Sequence, residues 1–388
     1  MANREAVIVS AVRSTVGRAK RGVLAKVRPE DLGVLVIKEL MARTPAVKPE
    51  MVDDVVIGNA MPEGAQGMNL GRVVASLSGL PNTVPGITVN RFCSSGLQTI
   101  AYAAMEIMSG MSDIIIAGGV ESMSSVPMGG FNFSAHLGAT REQVEIYTPM
   151  GLTAELVAER YNVSRETQDE FAYHSHRKAA TAWQEGKFDG EIVKVPYTDA
   201  AGNVKYLEQD ESMRPETTVE SLSKLRPVFK LNGSVTAGNA SPTNDGASVV
   251  MVMGLDKAKE LGLKPMAYVR DFQVAGTPPE VMGIGPAVAI PKLWNHSGVG
   301  KDQVGLYEVN EAFAAQAHYC CFDALELDPA IVNVNGGGIA LGHPLGCTGA
   351  KLTTSLLNEM IRRNERYGVV SMCIGGGMGA AGLFELYV

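Results

Sequence analysis

The sequence predicts an α/β protein made of two similar halves. Short β-rich runs alternate with helical patterns in the first third of the chain, and the same order returns in the last third. In each half an asparagine-ended run leads into a loop and a helix: Ile87-Thr88-Val89-Asn90 before Cys93, and Val332-Asn333-Val334-Asn335 before His343. With 388 residues, the chain also exceeds the size at which one hydrophobic core usually stops growing.

Taken in order, residues 52–57, 86–90 and 113–117 have the β-branched content of strands, and residues 30–41 and 97–108 carry helical spacing between them. Late in the chain, residues 304–309, 332–335 and 369–373 read as strands, with helices over 312–321 and 350–363. The grammar changes between about Glu121 and Pro242. Methionine, serine and proline accumulate there, with helices over 154–161 and 165–185 and polar loops over 199–220, which describes an inserted loop domain.

Composition limits the functional classes. The net charge is −7, which argues against chain-wide attraction to nucleic acid or anionic lipid. Five cysteines without paired spacing fit reduced thiols, the apolar stretch near the N-terminus is too short for a signal core, and no window approaches a membrane span. These observations lead us to expect a cytoplasmic protein. The last residues, Glu385-Leu386-Tyr387-Val388, do not form a peroxisomal address.

Three groups of residues carry chemistry. Cys93, in Asn90-Arg91-Phe92-Cys93-Ser94-Ser95-Gly96, falls between a strand and a helix, where free backbone N–H groups and the helix dipole stabilise a thiolate and the Cys93 N–H serves an oxyanion. An isolated cysteine in such a turn is more often simply buried, so its partners decide. His343 is framed by Gly342, Pro344 and Gly346, a loop that presents an imidazole able to take a thiol proton. Cys373 closes the strand before Gly375-Gly376-Gly377-Met378-Gly379, where a thiol can protonate an enolate, although a buried packing thiol is an equal alternative.

Asn310, in Asn310-Glu311-Ala312-Phe313, stands at another strand-to-helix junction, where it either caps the helix or fixes a water against an oxyanion. No metal site is expected. Cys320 and Cys321 are adjacent on a helix and point about 100° apart, with no second pair to complete a site. The glycine runs also fail as dinucleotide loops. Leu341 replaces the third glycine in the first, and the second leaves no room before Val388 for the next helix and strand.

Together these pieces resemble the thiolase family over essentially the whole chain. The Cys93 loop, Asn310-Glu311-Ala312-Phe313, Gly342-His343-Pro344 and Cys373-Ile374-Gly375-Gly376-Gly377 stand in family order, joined by Thr236-Ala237-Gly238-Asn239-Ala240-Ser241 in the coenzyme A loop. The resemblance implies a duplicated fold layered α-β-α-β-α with two five-stranded mixed sheets. It divides the chain into an N-terminal half over 1–117 completed by 243–264, an inserted coenzyme A-binding loop domain over 118–242, and a C-terminal half over 265–388.

By the same resemblance, Cys93 is the acylated nucleophile, His343 activates it and Cys373 serves as acid and base. His343 and a water on Asn310 hold the enolate oxygen, and the amides of Cys93 and Gly375 form a second oxyanion hole. Arg214 and Ser241 would contact coenzyme A, with Met150, Ala312 and Phe313 lining its pantetheine and acyl region. Thr148-Pro149-Met150-Gly151 has proline where the acetoacetyl-specific branch carries histidine. Arg214-Pro215-Glu216-Thr217-Thr218-Val219-Glu220 is similar to bacterial β-oxidation thiolases.

The implied activity is therefore thiolytic cleavage of 3-ketoacyl-CoA by coenzyme A, a co-substrate, with no tightly bound cofactor. Implied partners are further copies in a homodimer or homotetramer and a hydratase/dehydrogenase subunit, with neither nucleic acid nor membrane. The alternatives are a biosynthetic acetoacetyl-CoA thiolase and a catalytically inactive acyl-CoA-binding subunit. Retention of Cys93, His343 and Cys373 argues against the inactive form, and Cys373 argues against a ketoacyl synthase-like enzyme.

Overall fold

The computed structural model describes residues 4–388, so Met1–Asn3, which precede the apolar stretch Ala6–Ser10 weighed as a signal core, lie outside the described residues. Nine strands form the main sheet path: β1 (Ala6–Ser14), β2 (Asp54–Gly58), β3 (Ile87–Val89), β4 (Ile114–Ser122), β5 (Asn244–Gly254), β6 (Ala267–Gly276), β7 (Leu306–Val309), β8 (Tyr367–Ile374) and β9 (Met378–Leu386). The helices that position the site are α1 (Pro29–Arg43), α2 (Leu70–Leu77), α3 (Ser95–Ser109), α4 (Met150–Arg160), α5 (Arg165–Gln184), α6 (Gly285–Ser297), α7 (Ala314–His318) and α8 (Thr348–Arg363).

The duplication is visible in the strand order. In the first half the sheet runs β1-β5-β4-β2-β3, with two antiparallel steps followed by two parallel ones. The second half repeats this as β6-β9-β8-β7, antiparallel twice and then parallel, and a single parallel bridge from Tyr307 to Val332 stands where the fifth strand belongs. The strand expected over 332–335 is thus reduced to that bridge. The two sheets are also joined, since β1 pairs with β6 through Val7–Tyr268 and Ile8–Ala267.

Five layers follow from which side chains face which. Val36, Ile37 and Leu40 of α1 and Val74 of α2 pack on Ile114 and Ile116 of β4. The alternate residues Ile115 and Ala117 turn to the other face, as strand geometry requires, and meet α3. There Leu97, Ile100 and Ile107 of α3 share a core with Ala350, Leu356 and Met360 of α8 and with Val370, Met372 and Phe384 of the second sheet. Ala289, Ile290 and Leu293 of α6 cover that sheet's outer face.

Local sequence explains most helix ends. Pro29 opens α1 with Glu30 and Asp31 in its first turn, Ser164 caps α5 by accepting the Thr167 N–H, and Gly110 ends α3 at φ +77°. The expected helix over 312–321 starts later, at Ala314, and passes into a π-helical turn over Tyr319–Ala324. β4 and β5 are neighbours in the sheet although 121 residues separate Ser122 from Asn244. That intervening chain carries α4, α5 and a hairpin of Val195–Thr198 with Val204–Leu207.

The first turns of α3 and α8 approach backbone to backbone. A Cβ at Gly349 would stand 2.3 Å from Leu97 N, and one at Gly96 would stand 2.8 Å from Ala350 N and 2.9 Å from Gly346 O. Only glycine permits this contact, which sets the loops before the two helices side by side.

Candidate active site

Cys93 lies in a short 3-10 turn, Phe92–Ser94, that feeds α3. The turn is strained, with Phe92 at φ +44°, a conformation that costs a non-glycine residue on the order of 1–2 kcal/mol. Side chains hold it there: the Phe92 N–H donates to Asn90 Oδ1 at 2.8 Å, Ser95 Oγ donates to the Phe92 carbonyl at 2.7 Å, and the Arg91 N–H donates to Ser95 Oγ at 2.9 Å. The backbone N–H groups of Gly375 and of Cys93 itself favour charge on the sulfur. Burial nevertheless pushes the thiol up to about 12. The thiolate anticipated from the helix terminus is therefore outweighed by desolvation, and the group rests as a thiol that needs a base.

His343 is the candidate for that base. Gly342 turns the chain at φ +87°, where a Cβ would meet Val16 and Asn244, and the His343 N–H donates to Asn244 Oδ1 at 2.9 Å. The ring is held at both nitrogens: Nδ1 lies 2.6 Å from Thr348 Oγ1 and Nε2 lies 3.3 Å from Asn310 Nδ2. Asn310 Nδ2 only donates, so Nε2 carries the lone pair and Nδ1 the proton. Thr348 Oγ1 accepts that proton and donates its own to the Pro344 carbonyl at 3.1 Å. Burial, reinforced by the Lys351 ammonium, lowers the imidazole to about 3, so it stands neutral.

Asn310 continues the pairing of β7 with β8, its N–H donating to the Ser371 carbonyl at 2.8 Å. It does not cap α7, which begins after Phe313. Its Oδ1 is buried without a protein hydrogen-bond partner, a place suited to a water or a substrate oxygen. The next residue, Glu311, fixes the glycine loop before His343 by accepting from Ser175 Oγ at 2.6 Å, Asn333 Nδ2 at 3.0 Å and Ile339 N–H at 3.2 Å.

Cys373 is fully buried at the end of β8 rather than facing open space. Burial and the neighbouring sulfurs of Cys93 and Cys320 hold its thiol well above the usual range. It packs with Met150, Ala312, Phe313 and Met282 in one apolar cluster. Gly375 faces the same space: a Cβ there would lie 3.4 Å from Met150 Sδ and 3.9 Å from Phe92 Cδ2. Ser241 joins through its N–H, which donates to the Ala312 carbonyl at 2.9 Å, beside an Ala240–Phe313 bridge.

Arg214 stands apart. It is exposed, its backbone N–H donates to His176 Nδ1 at 3.3 Å, and its guanidinium has no hydrogen-bond or ion-pair partner among the described residues. Cys320 and Cys321 are buried in the π-helical turn, and the His318 ring packs edge-on against Phe171 and Phe322. Among the described residues, no group of three or more His, Cys, Asp or Glu side chains is arranged to hold a metal, and no helix is long and apolar enough to cross a membrane.

Sequence reasoning missed Thr348, Asn244 and Glu311 as supports of the imidazole and its loop. Thr348 left a faint signal, a hydroxyl at the helix start five residues beyond the histidine, whereas Asn244 is a polar residue opening a strand that is buried throughout.

The models of two families match the chain, the N-terminal domain of thiolase over residues 6–256 and the C-terminal domain of thiolase over residues 263–386. The chain is 55% identical to a 3-ketoacyl-CoA thiolase of Bacillus subtilis, covering 99% of this chain and 100% of that one. It is 47% identical to the peroxisomal 3-ketoacyl-CoA thiolase A of Mus musculus, covering 98% and 91%. Among solved structures, the Bacillus anthracis acetyl-CoA acetyltransferase matches with a TM-score of 0.91 at 41% identity, covering 99% of each chain. Human mitochondrial 3-ketoacyl-CoA thiolase matches with a TM-score of 0.91 at 36% identity, covering all of both.

Proposed function

The chain belongs to the thiolase family, and from that premise we propose that it is a 3-ketoacyl-CoA thiolase, an acyltransferase that cleaves 3-ketoacyl-CoA with coenzyme A through an acyl-Cys93 intermediate. The observation that carries the reading is the meeting of two thiols, Cys93 and Cys373, beside the Gly375 N–H, in a chain whose one loop-framed neutral imidazole is held with its basic nitrogen on Asn310.

In the first half-reaction, His343 Nε2 takes the Cys93 proton and the sulfur attacks the keto carbon, whose oxygen is held by the N–H groups of Cys93 and Gly375. The C2–C3 bond breaks and leaves the acyl group on Cys93. The enolate oxygen of the departing acetyl-CoA is held by the Nε2–H of His343 and a water on Asn310, and Cys373 protonates the enolate carbon. In the second, the Cys373 thiolate takes the proton of coenzyme A and the free sulfur displaces the acyl group from Cys93. His343 returns its proton to the released Cys93 sulfur, so Cys93, His343 and Cys373 regain their starting protonation only when both half-reactions are complete.

For coenzyme A we assign residues 118–242 as the binding loop domain, between an N-terminal half over 1–117 completed by 243–264 and a C-terminal half over 265–388. The free Arg214 guanidinium suits a phosphate of the nucleotide. Ser241, Met150, Ala312 and Phe313 line the path inward. Coenzyme A acts as co-substrate, without a tightly bound cofactor. Self-association is supported by the edge strand β3 and the apolar groups around it, with Ile87, Leu77 and Met105 about half exposed. We read a cytoplasmic homodimer or homotetramer that can join a hydratase/dehydrogenase subunit.

The test is coenzyme A-dependent cleavage of acetoacetyl-CoA and of a long-chain 3-ketoacyl-CoA by wild type, Cys93→Ala and Cys373→Ala proteins. Wild type is expected to cleave both and the variants neither. Cleavage of acetoacetyl-CoA alone would favour a second reading, an acetyl-CoA acetyltransferase, for which the similarity to the Bacillus anthracis structure speaks. No turnover by folded wild type would leave an acyl-CoA-binding subunit.

A further inference from the structure

Glu121, the penultimate residue of β4, is fully buried and takes no part in the chemistry described above. Its carboxylate is surrounded by donors. Oε2 accepts the N–H groups of Ala60 and Gly346, each at 2.8 Å, and Oε1 accepts Gln66 Nε2 at 2.8 Å and Asn59 Nδ2 at 3.3 Å. Burial favours the neutral acid, yet each of these partners donates, so a protonated oxygen would set its hydrogen against an N–H. The ionised form is the one that fits.

The two backbone donors belong to different halves of the molecule. Ala60 follows β2, and its carbonyl accepts Asn90 Nδ2 at 3.1 Å, while Asn90 Oδ1 accepts the Phe92 N–H that opens the Cys93 turn. Gly346 lies three residues beyond His343, in the loop that carries the base. The space between is closed, because a Cβ on Gly346 would come within 2.7 Å of Asn59 Cα and 2.8 Å of Glu121 Oε2. From this geometry we infer that Glu121 is a positioning residue, one buried carboxylate that sets the spacing of Cys93 and His343 by holding the nucleophile loop and the base loop together.

This inference rests on the proposed thiolase reaction. It adds a smaller electrostatic consequence: burial chiefly keeps the proton on Cys93, and the Glu121 anion adds to this by opposing charge on the sulfur. The other titratable groups at Cys93 are the Cys373 thiol from β8 and, in the proposed reaction, the His343 imidazole; Arg91, in the same turn, is committed to Gln98 Oε1 at 2.6 Å.

The experiment compares wild type, Glu121→Gln and Asn90→Ala for kcat, KM for coenzyme A, melting temperature and the pH profile of Cys93 alkylation by iodoacetamide. Glutamine sets an amide N–H₂ against a backbone or side-chain donor and removes the anion. In folded Glu121→Gln we expect kcat to fall about 10- to 100-fold at nearly unchanged KM, with alkylation beginning at lower pH. Asn90→Ala breaks only the Ala60–Phe92 link, so kcat falls while the alkylation profile stays in place. A folded Glu121→Gln protein with wild-type kcat, or with an unmoved alkylation profile, overturns the inference. If that variant does not fold, wild-type kcat in Asn90→Ala does the same. Absence of turnover in wild type would count against the thiolase reading instead, and the alkylation profile, which needs no substrate, still tests the electrostatic role of Glu121.

Discussion

Replacing Thr348 with valine removes one hydroxyl from a fully buried position and should cost activity far more than stability. The hydroxyl accepts the His343 Nδ1 proton, so its loss leaves that N–H buried without a partner, at about 1–3 kcal/mol. The Pro344 carbonyl is not orphaned, because it also accepts the backbone N–H groups of Cys347 at 2.9 Å and Thr348 at 3.0 Å. The imidazole relieves that orphaned N–H by moving its proton to Nε2, the proposed base for Cys93, where the proton then opposes the Asn310 Nδ2 donor. If the whole penalty appears as lost preference for the productive tautomer, the acylation rate falls by about 5- to 150-fold, since 1.36 kcal/mol is tenfold. The assay is single-turnover acylation of Cys93 by a 3-ketoacyl-CoA, run beside steady-state thiolysis. KM should change little, and Thr348→Ser should restore the rate. A folded valine variant that acylates at the wild-type rate, or a serine variant as slow as the valine one, would refute the tautomer argument.

Three further outcomes follow from the same geometry. Asn310→Ala removes the donor on His343 Nε2 and the buried Oδ1, and should lower kcat about 10²- to 10³-fold in steady-state assays with the protein still folded. Gly349→Ala drives a Cβ to 2.3 Å from Leu97 N, backbone that cannot yield cheaply, so denaturant unfolding should show a loss of about 3 kcal/mol or more. His343 ionises at about 3 in the fold against 6.5 ordinarily, so the unfolded chain binds the proton first. Its contribution is therefore intact above pH 6.5 and is lost as pH falls toward 3, up to about 5 kcal/mol. Melting temperature should drop through that window, less steeply in His343→Gln; His176, lowered to about 4, adds a slope of the same sign that the variant keeps.

The sequence alone named the candidate side chains for the chemistry and determined the kind of fold that carries them. Cys93, His343 and Cys373 were legible because glycine, proline and serine frame them at the ends of β-rich runs, and such local signals survive without any tertiary context. The strands of β2, β3, β4, β7 and β8 were legible for the same reason, but β5 was not. It opens with Asn244-Asp245-Gly246-Ala247-Ser248, residues that read as a turn, although all eleven of its residues are buried in the sheet. The β1–β6 seam and the reduction of residues 332–335 to one bridge depend on chain segments far apart in sequence.

Tertiary structure alone also decided the protonation states. The helix terminus promised a thiolate at Cys93, but burial raised the thiol and lowered His343, because desolvation depends on everything packed around a group and not on its neighbours in the chain. Thr348, Asn244 and Glu121 belong to this second kind of knowledge. They are polar residues in buried segments, and their roles exist only once the loops of two halves, brought together by the glycine contact of α3 with α8, give each of them a partner.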